Sequence, residues 1–163
     1  MAALLYLATK ENAMKKLSPA EQNAESHADT ILELYRAYCA LQDGAETVTV
    51  EGHECTNTDC IGDRVRKAVI DVCIRCHLWE PVGEEIRCRP DEFRILLETG
   101  VTALQITGEL DGHLAPENAR LQVHDWDSPW TDYTPTTEET EDWEEALMWF
   151  AGCFYFGDRE ETD

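Results

Sequence analysis

Negative charge is concentrated towards the carboxyl end of this chain, where it restricts both what can be buried and what can bind. The sequence has 34 aspartates and glutamates against 13 lysines and arginines, a net charge of −21. Residues 101–163 hold 16 of the acids and only two of the arginines. Such a surface repels phosphate groups and anionic lipid headgroups and attracts cationic surfaces. The charge therefore argues against direct binding to nucleic acid or membranes and favours a basic protein partner.

The rest of the composition is that of a folded chain. Hydrophobic residues make up 43% of the sequence and five residues are tryptophan, more than a disordered acidic segment would carry. The length of 163 residues predicts a single domain over residues 1–163. No apolar run approaches the ~20 residues that span a bilayer, and the first lysines follow the apolar start, unlike those of a signal peptide. We therefore expect a cytoplasmic protein or, if it is viral, one in the host cytosol or the virion.

Residues 18–44 have the clearest helical pattern in the sequence. Ser18 is placed to cap the helix, Pro19 suits its first position, and Glu21 completes a capping box. Apolar residues then recur three and four positions apart at Ile31, Leu34, Tyr35, Tyr38 and Leu41. Gly44 provides a stop. The pattern predicts one long amphipathic helix.

The segment at residues 63–78 permits two interpretations. We prefer a helix, because it gathers apolar residues on one face: Val65, Val69, Val72, Cys73 and Cys76. The alternative is a strand over residues 69–79, where β-branched residues nearly alternate with polar ones. The other predicted elements are a helix over 2–16, a strand over 47–50 with a turn at 51–52, a helix over 90–99, a strand over 101–107, an irregular excursion over 108–137 and a helix from about Thr137 to Phe150.

These elements predict an α+β fold, a helix-dominated single domain with a small sheet. Residues 1–107 would form the body, which includes a cluster of cysteines and histidines at 53–88. Residues 108–163 would form an acidic, tryptophan-rich loop followed by the C-terminal helix.

The cluster contains five of the seven cysteines and two of the five histidines. Its members are His53, Cys55, Cys60, Cys73, Cys76, His77 and Cys88. Two close cysteine pairs separated by a loop can supply four soft ligands to a tetrahedral zinc ion. The predicted ligands are Cys55, Cys60, Cys73 and Cys76, with His53, His77 and Cys88 as substitutes. Such a zinc site would stabilise the fold rather than catalyse a reaction.

Two further interpretations of these cysteines stay open. On a helical face they would be core thiols, because cysteine behaves there as a small hydrophobic residue. Alternatively Cys73 and Cys76 form a redox pair whose thiol pKa is lowered by the neighbouring Arg75 and His77. All three interpretations take the cysteines as thiols or metal ligands, because disulfides are rare in the cytosol.

Aromatic residues accompany the acids of the last third. Trp143, Leu147, Phe150 and Phe154 recur at helical spacing, so they form either a core-facing stripe or the anchors of a docking surface. Trp126 and Trp130 lie in a predicted loop, and exposed tryptophans are costly unless a partner covers them. We predict that the partner-binding residues are Trp126, Trp130, Trp143, Phe150, Glu141 and Glu145.

No phosphate-binding loop, nucleophile elbow or metalloprotease motif occurs in the sequence. His113 and His124 lie beside aspartates, which chance alone explains in so acidic a chain. We therefore predict a non-enzymatic regulatory protein that docks a basic surface through its C-terminal third. One alternative is a DNA mimic, encoded by a phage, that inhibits a nucleic-acid-binding protein. The others are a subunit of a virion-like assembly, a thiol-redox protein, and a halophilic protein whose charge serves solvation alone. Oligomerisation is compatible with all of them.

Overall fold

The computed structural model describes residues 17–76, 79–82, 89–136 and 140–156. Within them the α-helices are α1 (Pro19–Gln42), α2 (Thr58–Lys67) and α3 (Trp143–Gly152). The strands are β1 (Val48–Val50), β2 (His53–Cys55), β3 (Asp71–Arg75), β4 (Trp79–Pro81), β5 (Glu92–Glu98), β6 (Thr102–Glu109), β7 (Arg120–Asp125) and β8 (Thr131–Asp132). Helix accounts for 36% and strand for 30% of this part of the chain, so the α+β class is confirmed and the predicted dominance of helix is wrong.

Helix α1 begins and ends where its capping residues predict. The Ser18 hydroxyl accepts from the Glu21 N–H at 3.2 Å, and the Glu21 carboxylate accepts from the Ser18 N–H at 2.8 Å. This reciprocal pair satisfies two of the N–H groups that a helix start leaves without partners. Beyond the other end, Gly44 adopts a φ of 102°, which a side chain would disfavour. The helix predicted over residues 2–16 lies outside the described residues.

Strand β1 lies within the strand predicted over 47–50, and it forms a hairpin with β2 at the predicted turn. Glu51 and Gly52 connect them with φ values of 49° and 77°, the left-handed pair that a two-residue hairpin turn requires. Asn57 then caps α2, its side-chain oxygen accepting from the Cys60 N–H at 2.9 Å. The hairpin and α2 together pack against α1.

The other strands form one antiparallel sheet in the order β4-β3-β5-β6-β7-β8. Two predicted helices are wrong here. The preferred helix over 63–78 ends at Lys67, and Asp71–Arg75 is a strand, as in the alternative interpretation. The segment predicted as a helix over 90–99 is strand β5, because Phe93, Ile95 and Leu97 alternate with polar residues at the period of a strand. The predicted irregular excursion over 108–137 contains β7 and β8.

The inner face of the sheet packs on the helices. Its buried residues are Ile74, Phe93, Ile95, Leu97, Leu104, Ile106, Leu121 and Val123. They join one continuous hydrophobic core with the buried side of α1, notably Ile31 and Leu34. The alternate residues of the same strands form the outer face, which includes Cys73, Arg94 and Thr107.

One buried carboxylate connects α1 to the chain beyond β8. Glu25 is only 4% exposed, and its Oε1 accepts hydrogen bonds from the Tyr133 hydroxyl at 2.5 Å and from the Thr136 N–H and hydroxyl at 2.8 and 2.9 Å. Charge-assisted hydrogen bonds of this kind offset the desolvation of the carboxylate. The pKa of Tyr133 is raised by burial and by this carboxylate, both of which disfavour the phenolate.

The C-terminal helix is confirmed over Trp143–Gly152 and follows a 3₁₀ turn over Thr140–Asp142. Its predicted cap at Thr137 lies outside the described residues. Trp149 packs on the rings of Tyr35 and Tyr38 of α1, at 5.7 and 5.2 Å between centroids. Among the helices described, none is both long and apolar enough to cross a membrane.

Candidate functional site

The predicted zinc ligands fall into two separate parts of the fold. Cys55 ends β2 and is bonded through a disulfide to Cys60 in the first turn of α2, with 5.7 Å between their Cα atoms. Cys76 is disulfide-bonded as well, whereas Cys73 is a free thiol on β3. The structure thus differs from the expectation that these cysteines are thiols or metal ligands. Sulfurs that are bonded to each other would have to be reduced before they could bind zinc.

Of the three substitute ligands, the structure describes only His53. His53 is exposed on β2, and His77 and Cys88 lie outside the described residues. Over the ranges that the structure describes, no group of three or more His, Cys, Asp or Glu side chains is arranged to hold a metal ion. A zinc site therefore stays a prediction.

The surroundings of Cys73 do not favour a reactive thiolate. Burial raises its pKa, and the carboxylate of Asp71 raises it further, while Arg94 opposes both effects. The Cys153 side chain is half-buried just after the end of α3, and this burial raises its pKa to about 11. A raised thiol pKa leaves little thiolate near neutral pH, and the thiolate is the nucleophile.

We expect Cys73 and Cys153 to react slowly with iodoacetamide in the native protein at neutral pH, at least about tenfold more slowly than in denaturant. Peptide mass spectrometry of samples quenched over time would give the rate at each cysteine. Rapid native alkylation of Cys73 would instead support the thiol-redox alternative.

The predicted partner-binding residues do not share one environment. Trp143 and Phe150 are 5% and 0% exposed, because they form the side of α3 that packs into the core. Neither ring is available on the surface of the chain. Glu141 and Glu145 are exposed near the start of α3, where Glu145 accepts a hydrogen bond from the Tyr35 hydroxyl at 3.0 Å.

Trp126 and Trp130 are exposed on the connection between β7 and β8. Trp126 is 73% exposed and lies in the turn that follows Asp125. The turn is held at its base, where the Ser128 hydroxyl accepts from the Asp125 N–H and the Ser128 N–H donates to the Asp125 carbonyl, both at 3.0 Å. Trp130 is 38% exposed and packs on the ring of His124 at 5.1 Å. We call residues 120–132 the tryptophan hairpin.

The histidines beside aspartates do not form catalytic pairs. It is the backbone N–H of His113, not its imidazole, that donates to Asp111 Oδ1 at 2.7 Å. The pKa of Asp111 is lowered because its carboxylate accepts hydrogen bonds from the backbone N–H groups of Ala115 and His113. His124 contacts Trp130 by its ring. This geometry gives neither histidine a general-base role.

A groove of about 300 Å³ lies on the outer face of the sheet. We call it the outer-face groove. Its lining residues are Arg75, Trp79, Glu92, Phe93, Arg94, Gln105, Thr107, Gly108, Glu109, Arg120, Gln122 and Trp130. The strand register places Arg94, Thr107 and Arg120 in one row across β5, β6 and β7. Three of the nine arginines of this acidic chain therefore meet at one groove.

Several polar atoms in the groove lack partners. Within the described part of the chain, Arg94 Nε, Gln105 Oε1 and Thr107 Oγ1 are buried and make no hydrogen bond. Gln105 is only 5% exposed. A buried polar atom without a partner costs about 1–3 kcal/mol, so three of them side by side mark a place where a bound water or ligand would be stabilised by hydrogen bonds.

The arginines differ in how far they are engaged. Arg75 forms an ion pair with Glu92 at 3.3 Å. Arg94 lies 4.6 Å from the centre of the Trp79 ring, a cation–π distance, and its guanidinium approaches the Cys73 sulfur at 3.6 Å. Glu109 accepts from the Asn118 side chain at 2.8 Å. Arg75 thus offsets the charge of Glu92, whereas the neutral Asn118 amide leaves the charge of Glu109 in place, and Arg94 and Arg120 make the net charge of the groove positive.

The outer-face groove is not among the sites predicted from the sequence. Arg75 and Arg94 both lie in segments predicted as helices, which would not place them on one sheet face. The signal that could have found the groove is the period-two pattern of β5 and β7, in which polar residues at alternate positions share one face. Two arginines outside the groove have carboxylate partners: Arg64 pairs with Glu51 at 3.0 Å and Arg66 with Asp63 at 2.6 Å.

No protein-family model matches this chain, and neither a curated protein nor a solved structure is significantly similar to it.

Proposed function

We propose that this protein is a non-enzymatic binding protein that docks a basic surface of another protein through the tryptophan hairpin. The observation that carries the proposal is the 73% exposure of Trp126. A free indole ring on the surface exposes apolar area to water, and tryptophan is the residue most enriched among the anchors of protein interfaces.

The carboxylates around Trp126 define the chemistry of the partner. Asp125 and Asp127 flank it along the chain, and Asp132 is exposed on β8. No lysine or arginine lies between Arg120 and the end of α3. A ring surrounded by negative charge is complementary to a partner that presents a pocket edged by lysine or arginine.

Charge and ring would act on different steps of binding. The carboxylates would raise the association rate, and salt would weaken this effect because it screens charges beyond about 10 Å. The buried indole would set the lifetime of the complex, since changes in affinity are mostly changes in the dissociation rate. Trp143 and Phe150 take no part in this surface, because both support the core.

We expect the Trp126→Ala substitution to weaken partner binding about tenfold, mostly through a faster dissociation rate. The partner would be captured from an extract of the cells that make the protein, purified, and measured by biolayer interferometry at two salt concentrations. The double variant D125N/D127N should lower the association rate and its salt dependence. Tyr155→Ala is the matched control, because Tyr155 is similarly exposed, at 62%, outside the hairpin.

Other outcomes identify the alternatives. Wild-type affinity in Trp126→Ala would exclude the hairpin as the docking surface. Competition between this protein and duplex DNA for the partner would favour the DNA mimic. A stable ring or higher oligomer in size exclusion with light scattering would favour the assembly subunit.

A further inference from the structure

We propose that the outer-face groove binds a small anion that carries a planar ring and a hydrogen-bond donor, as a nucleoside monophosphate or a hydroxylated aromatic carboxylate does. The groove shares Arg120, Gln122 and Trp130 with the tryptophan hairpin, whereas Trp126, the residue that carries the docking proposal, does not line it.

The positive charge of the groove fits one anionic group. Arg94 and Arg120 flank Thr107 on alternate strands, which places their Cα atoms about 10 Å apart at the usual strand spacing. The Arg120 guanidinium can pair with a phosphate or carboxylate above Thr107, whose hydroxyl can donate to it from below, and Arg94, whose guanidinium lies towards Trp79, adds positive charge from the other side. Two positive charges are too few to neutralise a polyanion. The net charge of −21 would also repel a polyanion.

A chain of side-chain amides fixes which atom Gln105 presents. The Asp132 carboxylate only accepts hydrogen bonds, so the Gln122 amide must present its NH₂ group to it, at 2.9 Å. The carbonyl oxygen of Gln122 then accepts from the NH₂ group of Gln105, also at 2.9 Å. Gln105 Oε1 is therefore left as a buried acceptor to which the described chain donates no hydrogen bond, and an N–H or O–H of a ligand can fill this place.

Aromatic rings lie at opposite ends of the groove. Trp79 belongs to β4 at one edge of the sheet, and Trp130 precedes β8 at the other. Arg94 covers the Trp79 ring, whereas the Trp130 ring is supported by His124 and is 38% exposed. Trp130 is thus the ring on which a planar ligand group would stack. A volume of about 300 Å³ is at the lower end for small-molecule sites, which suits a ligand of nucleotide size.

Isothermal titration calorimetry of the full chain would test the proposal with four probes: adenosine monophosphate, uridine monophosphate, 4-hydroxybenzoate and inorganic phosphate. We expect at least one ring-bearing probe to bind at least tenfold more tightly than inorganic phosphate. Binding by the nucleotides would identify the anion as a phosphate monoester, and binding by the benzoate would identify it as a carboxylate.

Single substitutions test the contributions of Arg94, Arg120 and Gln105 separately. Arg120→Gln changes an exposed side chain and should weaken binding at least tenfold without unfolding the protein, and Arg94→Met should do the same. Gln105→Leu should selectively weaken probes that carry the ring donor. Arg66→Gln, an arginine outside the groove, and Trp126→Ala should bind like the wild type.

Three results would each overturn the proposal. The first is that none of the four probes binds. The second is binding that Arg120→Gln and Arg94→Met leave unchanged while both variants retain the wild-type thermal transition. The third is inorganic phosphate binding as tightly as the ring-bearing probes.

Discussion

Replacing Gly108 by alanine is expected to lower the free energy of unfolding by about 3 kcal/mol. A Cβ atom at this position would collide with the backbone carbonyl oxygen of Asn118 and lie 2.7 Å from the Phe93 ring. The Asn118 segment cannot readily retreat, because its side-chain oxygen accepts from the Glu109 N–H at 3.0 Å and Glu117 N–H donates to the Glu109 carbonyl at 2.8 Å. A clash with backbone, unlike one with a flexible side chain, is not relieved by a new rotamer.

Urea denaturation followed by circular dichroism would measure the effect. Gly152→Ala is the matched control, because a Cβ at Gly152 in the last turn of α3 meets no atom within 4 Å. That variant should match the wild type or exceed its stability by up to about 0.5 kcal/mol, since alanine favours helix. Equal stabilities for the two glycine variants would contradict the close packing of Phe93 over Gly108.

Replacing Glu25 by alanine is also expected to cost about 3 kcal/mol of unfolding free energy. The substitution removes the acceptor of three hydrogen bonds and leaves the Tyr133 hydroxyl and two donors of Thr136 without it. Thermal and urea denaturation would measure the loss. Glu46→Ala, an exposed glutamate in the loop after α1, should change stability by less than about 0.5 kcal/mol.

The dependence of stability on alkaline pH tests the same contact through the ionisation of Tyr133. The folded-state pKa of Tyr133 is raised, so the folded protein holds this proton at a pH where the unfolded chain has released it. Stability from this group is complete below the ordinary tyrosine pKa of about 10 and falls as the pH rises above it. Tyr133→Phe should reduce the slope of stability against pH in this range. An unchanged slope would mean that Tyr133 ionises as freely in the folded protein as in the unfolded chain.

Local signals in the sequence predicted local structure well. The capping box at Ser18 and Glu21, the stop at Gly44 and the turn at Glu51-Gly52 are each satisfied by residues a few positions apart, so each could be read without knowing the fold. The prediction of a helix over 90–99 is wrong because the structure of this segment depends on residues that are distant in the chain. Pro90 and Gly100 bracket the segment as they would a helix, but Phe93 and Ile95 pair with Gly108 and Ile106, and this pairing decides for a strand.

In the candidate sites too, the sequence predicted features that depend on neighbouring residues but not those that depend on tertiary packing. Trp126 is exposed beside Asp125 and Asp127 in a turn-forming sequence, and the docking surface proposed there stays a prediction. Trp143 and Phe150 also lie among acidic residues in the sequence, yet the packing of α3 on α1 buries both rings. An amphipathic stripe predicts that one side of a helix is apolar and does not say whether core or partner covers it.

By itself the sequence determined the acidic character of the surface, helix α1 and its ends, and strand β1 with the turn after it, because charge and short-range hydrogen bonds depend only on residues near one another in the chain. Only the tertiary structure decided that Arg94, Thr107 and Arg120 share one row and that Gln105 presents an acceptor beside them. These residues come from three strands, and the register that aligns them is set by hydrophobic packing on the opposite face of the sheet.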